Sequence, residues 1–349
     1  MIAKTTSTPK NIFVVLGVAR SGTSAIARGL KALGIELGSN MNPGNSKWNA
    51  KGFWEDIDIV YKINGKVFSI LDFAPYGIKT LDHTAQTSEK LQEVKLAAIN
   101  LLNQRFAETD YWGFKDPSTI KLLTFWQTIF QDLHLKENYI IALRNPLAAA
   151  QSYEKVTGSK IEIGLLLWLM HIIPAIDETA LKNRVIVSYD LLLQNPLMQL
   201  NRIKSQLNIP ALSDSAEIDT YTQDFLDKKL HRHECSEQDL VAHPAVAIAP
   251  LCIRTYYLLM KVACDEITFE STAFHNEWCE IKTELEKIYP VYCYIDSLLK
   301  ENNQLKKTLR GIHKSILWKM LYPFRIVDHT LRAHRQKSRA EKRLNKAYG

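Results

Sequence analysis

Four short runs of apolar residues divide the chain in the way that buried β-strands do. They are residues 12–16, 111–114, 139–143 and 185–188. Each run is continuously apolar rather than alternating, which predicts strands covered on both faces. The stretches between them predict helices that begin near Thr23, Ser88, Thr119, Pro146, Ile161 and Pro196. Strands that alternate with helices predict an α/β fold, a three-layer αβα arrangement around a central parallel sheet.

The longest apolar stretch, residues 161–176, contains Glu162, His171 and Pro174. It is too short to span a bilayer. We therefore interpret it as a buried core helix, with Trp168 serving in packing.

Beyond residue 275, mostly apolar side chains recur at alternating spacings of three and four. This seam consists of Val291, Ile295, Leu298, Asn302, Leu305, Leu309, Ile312 and Ile316. The spacing predicts a helical, coiled-coil segment over residues 276–316, and an asparagine on the seam favours a parallel homodimer with fixed register. A single amphipathic helix packed on the preceding domain is the alternative.

The first strand leads into a glycine loop, residues 17–24, with the sequence Gly-Val-Ala-Arg-Ser-Gly-Thr-Ser. It matches the phosphate-binding pattern G-x-x-x-x-G-K-[ST] except that Thr23 replaces the lysine. Backbone N–H groups and the dipole of a helix opening at Thr23 predict an anion site. The missing lysine argues against ordinary ATP or GTP hydrolysis, because that residue holds the outer phosphates. The basic group has moved into the loop, as Arg20.

A second strand end carries Arg144, followed by Asn145, Pro146 and, two turns on, Ser152. Asparagine suits a helix N-cap and proline suits the first helical position. The carboxyl ends of parallel strands share one edge of the sheet, where ligands bind in such folds. We therefore expect this segment and the glycine loop to lie at the same edge of the sheet. A capped helix with a surface arginine is the alternative.

Two further segments carry charged residues that suit chemistry. Residues 113–118 read Gly-Phe-Lys-Asp-Pro-Ser, with Lys115 at the end of a strand pattern. Residues 52–56 read Gly-Phe-Trp-Glu-Asp, with Glu55 behind two aromatic residues. Lys115 as a solvated strand-end charge, and Glu55 as a cap or ion-pair partner near a helix start, are the alternatives.

Together these segments resemble the sulfotransferases that use 3′-phosphoadenosine 5′-phosphosulfate, over roughly residues 11–240. Arg-Ser-Gly-Thr-Ser is the bacterial form of their 5′-phosphosulfate loop, so the resemblance implies that the donor contacts Arg20, Ser21, Gly22, Thr23 and Ser24. It implies that Arg144 and Ser152 bind the 3′-phosphate. The fold implied is P-loop NTPase-like, with no metal.

The same resemblance implies catalytic roles. Similar bacterial members have Lys-Asp-Pro where cytosolic relatives have Lys-Thr-His, so Lys115 is implied near the sulfuryl group and the histidine base has no counterpart. Carbohydrate-modifying members place a glutamate base near the position of Glu55. Partial desolvation of a carboxylate raises its proton affinity, which suits that role. Arg20 would join Lys115 in neutralising charge, and Asp116 is the reserve base. Phe53 and Trp54 would offer a face to a sugar ring.

The charge is unevenly distributed. The whole chain has 349 residues, 46% of them hydrophobic, and a net charge of +7. Residues 300–349 contain fourteen basic and three acidic residues, so the tail is strongly basic and the remainder mildly acidic. Residues 315–325, which include the large apolar residues Trp318, Leu321, Tyr322 and Phe324, resemble an element at the ends of bacterial polysaccharide-assembly enzymes. They predict a basic amphipathic segment, residues 317–349, that contacts an anionic membrane surface.

The N-terminal residues, the cysteines and the run at 231–235 bear on the cellular compartment and on metal binding. The first ten residues are polar, which predicts a disordered N-terminus without a secretory signal. The cysteines are scattered without a C-x-x-C pair, which indicates a reducing compartment. The His-Arg-His-Glu-Cys run at 231–235 fits no usual zinc spacing, and we interpret it as an exposed or phosphate-contacting loop.

The sequence thus predicts a cytoplasmic enzyme, peripheral on the inner face of the cell membrane, with a sulfotransferase domain at residues 11–275. It would transfer a sulfuryl group to a hydroxyl of a cell-surface glycan or glycolipid precursor. A nucleic-acid partner is not expected, because no binding motif accompanies the basic tail. The alternatives are an ATP- or GTP-dependent phosphotransferase with an atypical loop, and an inactive membrane-docked scaffold.

Overall fold

A computed structural model describes residues 9–45, 49, 51–80, 88–212, 214–226 and 235–320, with the side chains of 317 and 319 excepted. The chain divides into two compact units, with the boundary between Tyr292 and Cys293. Residues 1–8 of the predicted disordered N-terminus, residues 231–234 and residues 321–349 of the predicted basic tail lie outside the described residues.

The sheet of the described chain has four parallel strands, in the order β2-β1-β3-β4. They are β1 (Asn11–Leu16), β2 (Tyr111–Lys115), β3 (Lys136–Leu143) and β4 (Asn183–Ser188). The strand predictions are confirmed, and each real strand is one to three residues longer. β1 is central, with Val15 paired to both Lys115 and Ile140.

Helices fill the intervals between the strands and the region after them. They are α1 (Thr23–Ala32), α2 (Gly65–Ile70), α3 (Glu89–Arg105), α4 (Leu123–Asp132), α5 (Pro146–Thr157), α6 (Ile161–Asp177), α7 (Tyr189–Gln194), α8 (Pro196–Gln206), α9 (Ser215–Asp219), α10 (Glu237–Ala242), α11 (Leu251–Ala263), α12 (Thr272–Lys314) and α13 (Ile316–Met320). π-Helical turns span Asp58–Asn64 and Thr220–Phe225, and 3-10 helices span Pro117–Leu122 and Pro244–Ile248. The helix predicted near Thr119 is thus a 3-10 turn followed by α4.

Alternate residues of the strands face two separate helical layers. Phe13 and Val15 of β1 lie in one buried cluster with residues of α1 and α8. On the opposite face Phe114 of β2 packs on Trp126 of α4, with ring centroids 5.0 Å apart. Helices therefore cover both faces, and the predicted fold class, a central parallel sheet flanked by helices with a long C-terminal helix, is confirmed.

The apolar stretch predicted to be a core helix is α6. It is buried along most of its length, and Trp168 is fully enclosed. Its indole Nε1 donates a hydrogen bond to the carbonyl of Arg144 at 3.0 Å, so packing of α6 also supports the end of β3. Within the described residues, no helix combines the length and apolar character that crossing a membrane demands.

Candidate active site

The glycine loop between β1 and α1 has the backbone geometry of an anion site. Gly17 and Gly22 have φ angles of 143° and 87°, in the left-handed region. A Cβ on Gly22 would also overlap the ring of Tyr189, so glycine is required there. Gly22 caps α1 without a side-chain hydrogen bond, and the buried Ser21 Oγ has no hydrogen-bond partner among the described residues. The loop therefore presents donors suited to an anion.

Arg144 lies beside this loop because β3 pairs directly with β1. Its Nη1 donates to the carbonyl of Arg20 at 2.9 Å, and its guanidinium lies 4.9 Å from the centroid of the Tyr189 ring. The residue is 5% exposed, so it is not a surface arginine. Burial lowers its pKa, although a guanidinium keeps its charge in proteins. Asn145 caps α5 as expected, accepting from the N–H groups of Leu147 and Ala148.

The two predicted anion sites meet through Arg20. Its Nε donates to Ser152 Oγ at 3.1 Å, across the gap between the loop and α5. Arg20 also has a φ of 77°, a conformation that costs a residue other than glycine about 1–3 kcal/mol. The sequence placed Arg20 with the phosphosulfate loop and Ser152 with Arg144. The structure joins all three residues through Arg20, whose side chain donates to Ser152 and whose carbonyl accepts from Arg144.

Glu55 and Lys115 form a buried ion pair next to the loop. Lys115 Nζ lies 2.6 Å from Glu55 Oε1, and the two side chains are 3% and 10% exposed. Lys115 is therefore not a solvated strand-end charge. Asn42 Nδ2 donates to Glu55 Oε2 at 3.1 Å, so each carboxylate oxygen has a donor.

The carbonyl of Phe53 connects this ion pair to the glycine loop. It accepts from Lys115 Nζ at 3.1 Å and from Ser24 Oγ at 3.0 Å. Ser24 stands in the first turn of α1, so the helix that would receive the anion also fixes the backbone two residues before Glu55. This link has no signature in the sequence.

Trp54 supports the Glu55 segment from its other side. Its φ is 56°, and its Nε1 donates to the carbonyl of Lys51 at 3.0 Å. Its ring lies 5.5 Å from the buried guanidinium of Arg28 on α1 and meets Phe225 edge-on. Trp54 therefore has a packing role, and the expectation that it also offers a face to a sugar ring stays a prediction.

Tyrosines near the carboxylates were not anticipated from the sequence. Burial of the Tyr76 hydroxyl, followed by the charges of Asp116 and Glu55, raises its pKa, and Tyr61 and Tyr153 also act on it electrostatically. Tyr61 and the ring of Tyr76 remain substantially exposed. Tyr76 thus lies within electrostatic range of both carboxylates.

The reserve base, Asp116, is occupied by structural hydrogen bonds. Its Oδ1 accepts from the Ser118 N–H at 2.9 Å, which caps the 3-10 helix Pro117–Leu122. Its Oδ2 accepts from Ser118 Oγ at 2.7 Å and from Asn64 Nδ2 at 2.8 Å. The buried carboxylate thus joins β2 to the π-helical turn Asp58–Asn64.

The described residues include no group of three or more His, Cys, Asp or Glu side chains arranged to hold a metal ion. Most of the His-Arg-His-Glu-Cys run lies outside them. Cys235 is among the described residues. Its thiol donates a hydrogen bond to Gln151 Oε1 of α5, and its carbonyl accepts one from Asn145 Nδ2. The end of that run therefore lies close to Arg144.

Two solved structures resemble the chain over most of its length. The sulfotransferase domain from the Synechococcus PCC 7002 olefin synthase is 18% identical, with a TM-score of 0.37, covering 80% of this chain and 96% of that domain. The sulfotransferase domain from the curacin biosynthetic pathway is 16% identical, with a TM-score of 0.38, covering 80% and 99%. No protein-family model and no curated protein matches the chain. Identities and TM-scores this low assign no activity to the chain.

Proposed function

We propose that the chain is a sulfotransferase that moves a sulfuryl group from 3′-phosphoadenosine 5′-phosphosulfate to a hydroxyl. The observation that carries the proposal is the meeting of three features at one edge of the sheet. They are the lysine-free glycine loop, the Arg20–Ser152–Arg144 cluster, and the Glu55–Lys115 pair joined to the loop through Phe53. A donor with two anionic ends suits two adjoining cationic sites.

The residues present fit such a donor. The unpartnered Ser21 Oγ and the uncapped start of α1 suit its 5′ end, with Arg20, Thr23 and Ser24 around them. The guanidinium of Arg144 and the hydroxyl of Ser152 suit its 3′-phosphate. When bound, the donor supplies an activated sulfuryl group and a phosphate leaving group.

Glu55 and Lys115 have separate roles in the transfer. Glu55 accepts the proton of the acceptor hydroxyl as the new O–S bond forms. Lys115 and Arg20 stabilise the negative charge that the leaving phosphate gains as its bond to sulfur breaks. Because Lys115 and Glu55 start as an ion pair, movement of Lys115 toward the developing charge releases the carboxylate for proton transfer.

We propose a sugar hydroxyl of a surface glycan or glycolipid precursor as the acceptor. Tyr76, which interacts electrostatically with Glu55, supports this class, because tyrosine combines an apolar ring with a hydrogen-bonding hydroxyl. The basic composition of residues 300–349 supports a location at the inner membrane face, where anionic lipid attracts lysine and arginine.

Calorimetry with adenosine 3′,5′-bisphosphate and with ATP tests the donor. We expect the bisphosphate to bind more tightly, and Arg144→Ala to weaken it by roughly 100-fold through loss of charge-assisted hydrogen bonds. Arg310→Ala, at an exposed position of α12, is the control and should bind as the wild type. Circular dichroism checks that each variant is folded. Binding of ATP that equals or exceeds that of the bisphosphate would refute the sulfotransferase assignment and favour a phosphotransferase.

A further inference from the structure

The second half of α12 exposes large apolar side chains to water on one helix face. Every residue from 301 to 316 is exposed. Among them, Leu305 is 65% and Leu309 53% exposed, and Leu298, two turns before Leu305, is 45% exposed. These side chains lie on one face because they are spaced by seven and four residues. Burying them against a partner would be favourable.

The heptad positions of this face select the kind of partner. Leu298, Leu305 and Ile312 occupy the d positions, and Ile295, Asn302 and Leu309 occupy the a positions. Leucine at d suits a two-stranded coil, and a single asparagine at a specifies register in parallel dimers at a cost in stability. The helix ends at Lys314, so the sequence-predicted seam stops before Ile316, which begins α13.

Charges beside the seam are complementary for one arrangement. Glu301 stands at a g position and Lys306 at the following e position. In a parallel, in-register pair, g of one helix faces the next e of the other, so Glu301 meets the partner subunit's Lys306 twice by symmetry. Lys300, Lys307 and Lys314 occupy the outer f positions, away from the partner. These three lysines therefore lie outside the interface between the two helices.

From this pattern we infer that residues 295–314 pair with a second copy of the chain as a parallel, in-register coiled coil. The inference is independent of the proposed catalytic activity. Parallel pairing also places the two segments that follow Lys314 at the same end of the coil.

Sedimentation equilibrium of the full chain tests the pairing. We expect a mass twice the 39.9 kDa of the single chain. Leu305→Glu at a d position should give a monomer, whereas Lys307→Glu at an f position should leave the dimer intact. A monomeric wild type at 100 μM (on the order of the weakest useful coiled-coil affinity) would overturn the inference. So would a dimer that Leu305→Glu does not weaken.

Charge reversal and cysteine cross-linking test direction and register. Glu301→Lys alone should raise the dissociation constant by roughly tenfold, and adding Lys306→Glu should restore it. Leu298→Cys should form an intermolecular disulfide under mild oxidation in a parallel, in-register pair, with Lys300→Cys at an f position as the control. Failure of the double reversal to restore affinity, or cross-linking at 300 equal to that at 298, would reject the parallel register.

Discussion

At the residue scale, two buried carboxyls near the glycine loop have different partners. Glu55 pairs with a lysine and an amide, through one hydrogen bond to each carboxylate oxygen. Asp116 accepts hydrogen bonds from a backbone N–H, a hydroxyl and a second amide, all of which hold secondary structure in place. A general base needs access to a substrate proton, and by that criterion Glu55 is the better candidate.

Glu55→Gln is the direct test of that assignment. Glutamine keeps the size of the side chain but accepts a proton poorly, so kcat should fall by about 10²–10⁴-fold. Affinity for adenosine 3′,5′-bisphosphate should stay within about twofold, since the donor contacts are elsewhere. The readout is bisphosphate formation from the sulfated donor with an extract of surface glycans, together with calorimetry. Glu89→Gln, at the exposed start of α3, is the control.

Asp116→Asn serves as the contrast within the same experiment. The introduced NH₂ group would meet the Asn64 amide or the Ser118 hydroxyl, both of which now donate, and should lower the free energy of unfolding by about 1–3 kcal/mol. Turnover unaffected by Glu55→Gln would move the base to Asp116 or elsewhere, whereas a wild type without turnover would support an inactive scaffold.

At the element scale, the position of the site at one edge of the sheet was predictable, but the side-chain contacts there and the strand order were not. Parallel strands that end at Leu16 and Leu143 had to present Arg20 and Arg144 at the same side. The contact of Arg20 with Ser152 depends on a left-handed φ that no propensity rule assigns to arginine. The strand order could not be predicted from the sequence either, because β2 and β3 are both apolar and both neighbour β1.

The segment around Glu55 shows the same limit. Its backbone is fixed by Asn42, whose N–H donates to the Glu55 carbonyl at 2.7 Å, and by Asp56, whose Oδ1 accepts from the Asp58 N–H at 2.8 Å. These contacts join segments that are separated by polar residues without apolar periodicity. The helical region Asp58–Ile70 was therefore not predicted.

The pairing of Asp56 with Arg105 ties α3 to this segment and gives a stability prediction. Arg105 Nη2 lies 2.9 Å from Asp56 Oδ2, and the Asp56 side chain is fully buried. Burial raises the pKa of Asp56 and the charge of Arg105 opposes that rise. Arg105→Gln should lower the free energy of unfolding by about 3 kcal/mol, since it leaves a buried carboxylate uncompensated.

A double-mutant cycle separates this pair from general damage. Asp56→Asn with Arg105→Gln should lose less than the sum of the single losses, with a coupling of about 1–3 kcal/mol in urea unfolding. Lys95 on the same helix pairs with the half-exposed Asp132, and Lys95→Gln should cost under about 1 kcal/mol. Additive losses for Asp56 and Arg105 would show that the pair is not the link between α3 and the Glu55 segment.

At the scale of the whole molecule, a buried histidine in α6 connects core packing to pH. His171 is 0% exposed, and its Nδ1 lies 2.7 Å from the Leu167 carbonyl. Its Nε2 has no hydrogen-bond partner among the described residues. Burial, helped by the charge of Lys121, lowers the pKa of His171 to about 3. The core therefore holds a neutral imidazole over the whole neutral and mildly acidic range.

The sign of the pH dependence follows from that neutral state. In the unfolded chain the imidazole has its ordinary pKa of about 6.5 and gains a proton below it, whereas the folded chain does not. The contribution of His171 to stability is constant above about pH 6.5 and declines by about 1.4 kcal/mol per pH unit below it. It is therefore about 2 kcal/mol smaller at pH 5 than at pH 7.5.

His171→Leu should remove this slope. Unfolding in urea at pH 7.5, 6 and 5 should show the wild type losing about 2 kcal/mol more than the variant across the range, because carboxylate titrations are common to both. His275→Leu, at an exposed position of α12, should keep the wild-type slope. Comparing slopes rather than absolute stabilities separates protonation from any repacking caused by leucine. Equal losses in the wild type and His171→Leu would mean that the core opens to admit the proton, and the neutral imidazole would not be a feature of the folded chain in acid.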